Sequence, residues 1–285
     1  MVDCLAPPPR FFNTTGPCDP ERHYMLPPKE RLIDTNLERM VTHQLYWVLH
    51  APRQTGKTTF LLSWAKELNA TGQVVAAYVS VQGCQGLPDA EVAMPIIVQA
   101  IRSRAKQQGL PIPELSDGSI SAQSQLDDLL GNWAKLCAPK PLVVLFDEVD
   151  MLEGPALISF MRQLRSGFIT RGSGRFPVSV VLASLHDLRD NLVQSTEVFG
   201  LDPGSVFLKQ TSSSICSFSR DGIGRLFAQR TADCGQGIEA EALDLTFELT
   251  CGQPWLVNAL FQKCTWDLAP DPATPVTAAH VQAAK

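Results

Sequence analysis

Apolar and polar positions along this chain fall into short blocks whose period changes repeatedly. Residues 1–28 show no period: they are rich in Pro, Gly, Asn and Thr, end in Leu26-Pro27-Pro28, and read as an extended arm. From Lys29 onward Ile33, Leu37, Met40, Val41 and Gln44 fall on one stripe at helical spacing, with Pro28 near the first turn. LYWVLH (45–50) is a short apolar strand, and 58–70 predicts a helix that Thr71-Gly72 ends. VVAAYVSV (74–81) predicts a second buried strand. After the turn QGCQG a helical region runs from 89 to about 108, with a kink or restart expected at Pro95, and a further helix is expected near 121–137. PLVVLFDEVD (141–150) is the clearest strand, five apolar residues in a row opened by Pro and closed by acids. A helix follows over about 155–169, then a buried strand, PVSVVLAS (177–184), with 206–209 the candidate for the last strand. From Ser219 only helices are predicted: 219–232, 239–250, 254–267 and a start at 277, where Thr277 is the expected N-cap.

Strands that are apolar on both faces, alternating with helices, argue for a parallel sheet covered on both sides. The predicted fold is therefore α/β, a three-layer αβα core with a mostly parallel sheet, followed by a small all-helical lid. The boundaries read as an arm over 1–28, a core over 29–210 and the lid over 211–285. A chain of 285 residues, 45% hydrophobic, is long enough to bury one large core and a smaller one. Its net charge of −5 gives no global basic field for nucleic acid. None of its eight cysteines forms a C-x-x-C pair, so a zinc ribbon or dithiol redox site is not indicated. MVDCLAPPPRFF has an acid and three prolines where a secretion signal needs a basic start and an apolar run. With no apolar run near the roughly 20 residues that span a bilayer, the chain reads as soluble and cytoplasmic, with no membrane partner.

The stretch LHAPRQTGKTTFLL (49–62) lies between a strand and a helix. A-x-x-x-x-G-K-T matches the Walker A pattern at every position but the first, which is Ala51. The spacing has a physical reason. Backbone N–H groups of such a loop and of the helix that follows point at an anion, and the helix dipole adds to the attraction. The candidate phosphate ligands are Arg53, Gln54, Thr55, Gly56, Lys57, Thr58 and Thr59. Gly56 lets the backbone approach, Lys57 reaches the β- and γ-phosphates, and the Thr58 hydroxyl is a ligand for Mg²⁺. An ordinary strand-to-helix turn is the alternative, which the flanking pattern disfavours.

LVVLFDE supplies a Walker B pattern. Asp147, at the tip of a buried strand expected next to the phosphate-loop strand, can hold Mg²⁺ through its water shell. Glu148 is placed to orient and polarise a water for attack on the γ-phosphate. Together these motifs imply ATP and Mg²⁺ as cofactors, with Lys57 and Glu148 as catalytic candidates.

The helix-first arrangement, APRQTGKTT, the strand at 74–81 and LFDEVDML together resemble an AAA+-type P-loop ATPase. The nearest resemblance is to the origin-recognition-like and STAND-like branch, which FNTTGPCDPERHYMLPPKERL and TCGQPWLVNAL also resemble. The resemblance covers about 11–285. It implies that Ser184, at the end of the strand after Walker B, is a sensor residue touching the γ-phosphate or the attacking water; a strand-terminal serine bonding backbone is the alternative. Arg189 is a second candidate, with a surface ion pair as its alternative. Gly252-Gln253-Pro254 resembles the G-x-P element that STAND-like ATPases bring to the nucleotide, although Pro254 also suits a helix start. By the same resemblance, Tyr24 and Met25 are the candidates for stacking on adenine.

Arg162, Arg165, Arg171 and Arg175 form a basic run that reads as a trans-acting arginine finger, a nucleic-acid contact or a solvated helix face. The branch's second sensor arginine has no counterpart in the last helices. Three functions follow: an ATP-hydrolysing AAA+-like protein whose nucleotide state moves the lid, a slow-hydrolysing switch or scaffold signalling to a protein partner, and a nucleic-acid motor component. The motor needs a second RecA-like domain, for which the chain has no room. ATP/ADP is the expected ligand, and a homo-oligomer or protein partner stays open. Relatives in the origin-recognition-like branch continue past a helix like that at 277 into a winged-helix domain, so the chain is expected to be the ATPase module of a longer design. Given its acidic charge, that module alone should bind DNA weakly or not at all.

Overall fold

The computed structural model describes residues 10–33, 36–116, 118, 120–171, 174–185 and 212–285. They divide into two compact units. One comprises the chain up to Leu32, Arg53–Phe60 and Ile215–Lys285; the other comprises Ile33–Pro52 and Leu61–Ser214.

The second unit holds a parallel sheet of five strands among the described residues: β1 (Tyr46–His50), β2 (Val75–Ser80), β3 (Leu142–Asp147), β4 (Ser179–Ser184) and β5 (Ser212–Ser214). Their order is β2-β3-β4-β1-β5. Side chains alternate between the faces of a strand. Tyr46 and Val48 of β1, Ala77 and Val79 of β2, Val144 and Phe146 of β3, and Val180 and Leu182 of β4 share one core. That face is covered by α3 (Ala90–Gln107), α4 (Ala122–Cys137) and α5 (Gly154–Phe168). The alternate residue Trp47 turns to the other face, where its ring meets Trp64 of α2 (Lys57–Ala70) edge-on at 5.7 Å. The fold is thus the expected three-layer α/β arrangement. Helix α3 runs uninterrupted through Pro95, with Asp89 capping it through Glu91 N–H.

Strand β2 lies at the sheet's edge, and two side-chain amides satisfy its outward backbone. Asn69, near the end of α2, accepts from Ala76 N–H at 2.9 Å and donates to Ala76 C=O at 2.7 Å. Gln108, at the end of α3, does the same for Tyr78, at 3.1 and 2.7 Å. Edge strands left open pair with other chains, and here the edge is clasped.

Two expectations need correction, and a third falls outside the described residues. The single helix from Lys29 is broken up: a 3₁₀ turn occupies Pro28–Arg31, and α1 covers only Leu37–Thr42 with Asn36 as its cap. Leu32 instead bridges to Ile215, which needs extended backbone, so the apolar stripe does not run along one helix. The last described strand is Ser212–Ser214, beside β1, while 206–209 lies outside the described residues. The strand ending in Asp147 is not next to β1 either, because β4 stands between them.

The first unit is built from α6 (Arg220–Cys234), α7 (Ala240–Thr250), α8 (Pro254–Lys263), which continues as a π turn over Cys264–Leu268, and α9 (Ala278–Ala284). Thr277 caps α9, and His280 answers in a reciprocal capping box. The N-terminal segment packs into this unit. Phe12 is buried with ring contacts to Tyr24, Phe227 and Phe261 at 4.8, 5.7 and 5.1 Å. Its carbonyl accepts from the Gln262 amide at 2.9 Å, and the Thr14 carbonyl accepts from the Trp255 indole at 2.8 Å.

Candidate nucleotide site

Strand β1 ends at His50 and the chain turns through 51–56 into α2. Ala51 is buried, and its N–H donates to Ser184 C=O at 3.3 Å, so a methyl fits where the Walker pattern has glycine. Gln54 and Gly56 have φ of 62° and 96°. Left-handed residues in a short loop gather successive N–H groups into the concavity that binds anions. Gly56 carries a second constraint, since a methyl there would lie 2.8 Å from Arg31 Nη2. Thr55 is buried, whereas Lys57 and Thr58 are half-buried in the first turn of α2, where backbone N–H groups lack helical acceptors. Thr59 Oγ1 accepts from Cys18 N–H at 3.1 Å, and Arg53 and Gln54 are exposed. The loop's glycine, its backbone and its helix start fit a phosphate chain.

The acidic residues end β3. Asp147 is buried, with its Oδ1 accepting from Glu148 N–H at 2.9 Å and its Oδ2 from the Tyr78 hydroxyl at 3.1 Å. Burial, reinforced by the charge of Asp147, pushes the Tyr78 hydroxyl far up, so it stays protonated and donates. Glu148 sits in left-handed backbone at φ 61°, and its Oε2 accepts from the Ser80 hydroxyl at 2.6 Å. The register explains this bond, since Ser80 pairs with Asp147 across β2 and β3. Among the described residues no cluster of three or more acidic, His or Cys side chains forms a metal cage. Mg²⁺ does not require one, because it keeps most of its waters and takes one or two carboxylates plus substrate phosphates.

Ser184 is buried at the end of β4, in register with His50. Leu185 N–H donates to Asp150 Oδ1 at 3.1 Å. The loop residues 53–59 belong to the same unit as Tyr24, Met25 and Pro254, whereas Asp147, Glu148 and Ser184 belong to the other. Tyr24 is only 1% exposed: Phe12 packs on it and the Arg10 guanidinium lies 5.1 Å from its ring centre. Its ring serves the core of the helical unit and has no open face for a base. Met25 is half-buried, its backbone held at both N–H and C=O by the Gln229 amide. Pro254 begins α8, where Gln253 caps through Leu256 N–H at 2.6 Å.

The members of the basic run differ in their surroundings. Arg171 donates to the carbonyls of Gln44 and Phe168 and stacks on the Phe168 ring at 3.5 Å. Arg162, Arg165 and Arg175 are exposed, and Arg189 lies outside the described residues. Sequence reasoning missed Ser80, Tyr78 and Arg31. Ser80 had a signal, the polar residue closing an apolar strand. Tyr78 and Arg31 had none, because their roles depend on long-range pairing.

A parallel sheet in the order β2-β3-β4-β1-β5 with helices on both faces, a loop feeding α2 from β1, and a C-terminal set of helices define the fold of AAA+-type ATPases. Solved structures agree, and they include members of the Cdc6/ORC group. The chain is similar to a Walker-type ATPase of Pyrococcus abyssi (11% identity, TM-score 0.57, 83% of this chain and 67% of that one). It is similar to Cdc6p from Pyrobaculum aerophilum (14%, 0.53, 81% and 59%). It is also similar to the Aeropyrum pernix ORC2 protein, whose structure holds ADPNP and ADP (13%, 0.52, 87% and 64%). The chain thus spans 59% to 67% of the length of these three structures, and at such identities the likeness is one of fold. No protein-family model and no curated protein matches the sequence. Among the described residues, no helix is long and apolar enough to cross a membrane.

Proposed function

We propose that this protein binds ATP with Mg²⁺ and hydrolyses it, with its nucleotide state moving the helical unit as a lid. The observation that carries the reading is the loop with left-handed Gln54 and Gly56 opening α2 at Lys57, in a fold shared with AAA+ ATPases. In this reading the loop amides of 53–59 and the Lys57 ammonium hold the phosphates. Thr58 and Asp147 hold Mg²⁺, which neutralises phosphate charge when bound. Glu148 orients the attacking water, and Ser184 senses the γ-phosphate. Pro254 and the half-buried Met25 remain candidates for the nucleoside side of the site. The acidic net charge supports weak or no DNA binding by this chain alone.

The second reading is a slow switch that binds nucleotide tightly and signals to a protein partner or a further copy of itself. The hydrogen bond from Ser80 favours it, because it occupies one oxygen of the carboxylate that would orient the attacking water. ATP turnover and molar mass, measured together across protein concentration, separate the two. Turnover of about 1 s⁻¹ or above, the lower end of ordinary enzyme rates, supports the ATPase. Tight binding with negligible turnover at every concentration supports the switch.

A further inference from the structure

Arg31 is a half-buried cation with no acidic partner among the described residues, and its buried Nε lacks a hydrogen-bond acceptor there. Its Nη1 donates to two carbonyls, Thr55 in the phosphate loop at 2.9 Å and Cys216 at 3.0 Å. Its Nη2 faces Gly56, and its guanidinium stacks 4.9 Å from the Phe218 ring centre. The tie to the 216–218 segment is doubled by backbone, since Cys216 N–H donates to Arg31 C=O at 2.8 Å. Phe218 in turn donates its N–H to Gly252 C=O at 2.7 Å, and a methyl on Gly252 would lie 1.8 Å from the Phe218 carbonyl oxygen. Gly252 opens the turn that leads through Gln253 into α8. An unbroken series of contacts therefore runs from the phosphate loop through Arg31 and Phe218 to the Gly252–Pro254 turn, all inside one compact unit.

We propose that Arg31 is a positioning residue that transmits the charge state of the phosphate loop to the 216–218 segment and the turn before α8. The proposal rests on the nucleotide reading above and names the residue that couples loop to helices. A ligand can shift a conformation only if it interacts differently with the two states. Here the differential interaction is electrostatic. A guanidinium whose Nε is buried and that has no carboxylate partner among the described residues is the group on which an arriving phosphate chain acts most strongly. Its carbonyl bonds to Thr55 and Cys216 are what such an anion redistributes. Burial depresses the guanidinium pKa to about 10, against the opposing pull of Cys18 and Cys216. The geometry of two carbonyls and an aromatic face suits the planar fork of Arg better than the point charge of Lys.

Cys216 is an exposed thiol and serves as a reporter. Its alkylation by iodoacetamide is followed by peptide mass analysis with and without saturating Mg-ATP, in the full chain and in Arg31→Met and Arg31→Lys. The proposal expects ATP to change the Cys216 rate at least about threefold in the parent. It expects Arg31→Met to bind ATP about tenfold more weakly, the loss of one charged hydrogen-bonding group. Once that variant is saturated, its Cys216 rate should not respond. Arg31→Lys should keep most of the affinity and lose most of the response, and it carries the test if the Met variant does not fold. A Cys216 response that survives in the variants, or is absent from a parent that binds ATP, overturns the proposal. A parent that binds no ATP sinks the nucleotide reading instead, which keeps the two failures apart.

Discussion

Glu148 illustrates how much of the chemistry depends on single hydrogen bonds. Its left-handed backbone lets Glu148 N–H cap its own neighbour, Asp147, while its side chain turns to Ser80. The proposed role needs the charge, whereas the fold needs only an acceptor for the Ser80 hydroxyl. Glu148→Gln separates these, because the amide oxygen still accepts from Ser80 and the charge is gone. Hydrolysis should fall by about two orders of magnitude or more, the usual worth of a positioned general base. ATP affinity should change little, and steady-state turnover beside equilibrium titration reads both. Parent-like hydrolysis would make Glu148 structural and send the search for a base elsewhere. Tyr78 contributes at the same scale, as its hydroxyl holds the other oxygen of Asp147.

At the scale of elements, β2 joins the fold to the site. Gln108 fixes Tyr78 by its backbone, Tyr78 fixes Asp147 by its hydroxyl, and Ser80 fixes Glu148. Asn69→Ala and Gln108→Ala each leave outward backbone groups of this edge strand without their partner. Each should cost about 1–2 kcal/mol, read by urea denaturation, with effects that add because the two amides clasp different residues. The Gln108 variant should also weaken the Mg²⁺ dependence of nucleotide binding, and the Asn69 variant should not. Strands β1 to β4 and helices α2 to α5 were legible because apolar runs, helical spacing and a Thr-Gly stop are local signals. The order of strands was not, and the expectation that β3 adjoins β1 failed because adjacency is set by crossover connections. The supposed helix from Lys29 failed because Leu32 was committed to a bridge with Ile215, which lies far along the chain. Tyr24 shows the same limit at the candidate site. An aromatic residue in a polar arm reads as available, and only the packing of Phe12, Phe227 and Phe261 reveals that it belongs to a core.

At the scale of the whole molecule, the chain divides its motifs between two compact units. The phosphate loop belongs with the N-terminal segment and the C-terminal helices, and the acidic strand ends belong with the sheet. Every role proposed for these residues requires that the loop at Gly56-Lys57 bind ATP. The most direct measurement is calorimetric titration of Mg-ATP into the parent and into Lys57→Ala, which removes one cation and leaves helix propensity intact. Saturable binding by the parent, weakened at least about tenfold, or about 1.4 kcal/mol, in the variant, is the predicted result. Equal affinity in both proteins, or no saturable binding by the parent, would contradict the account.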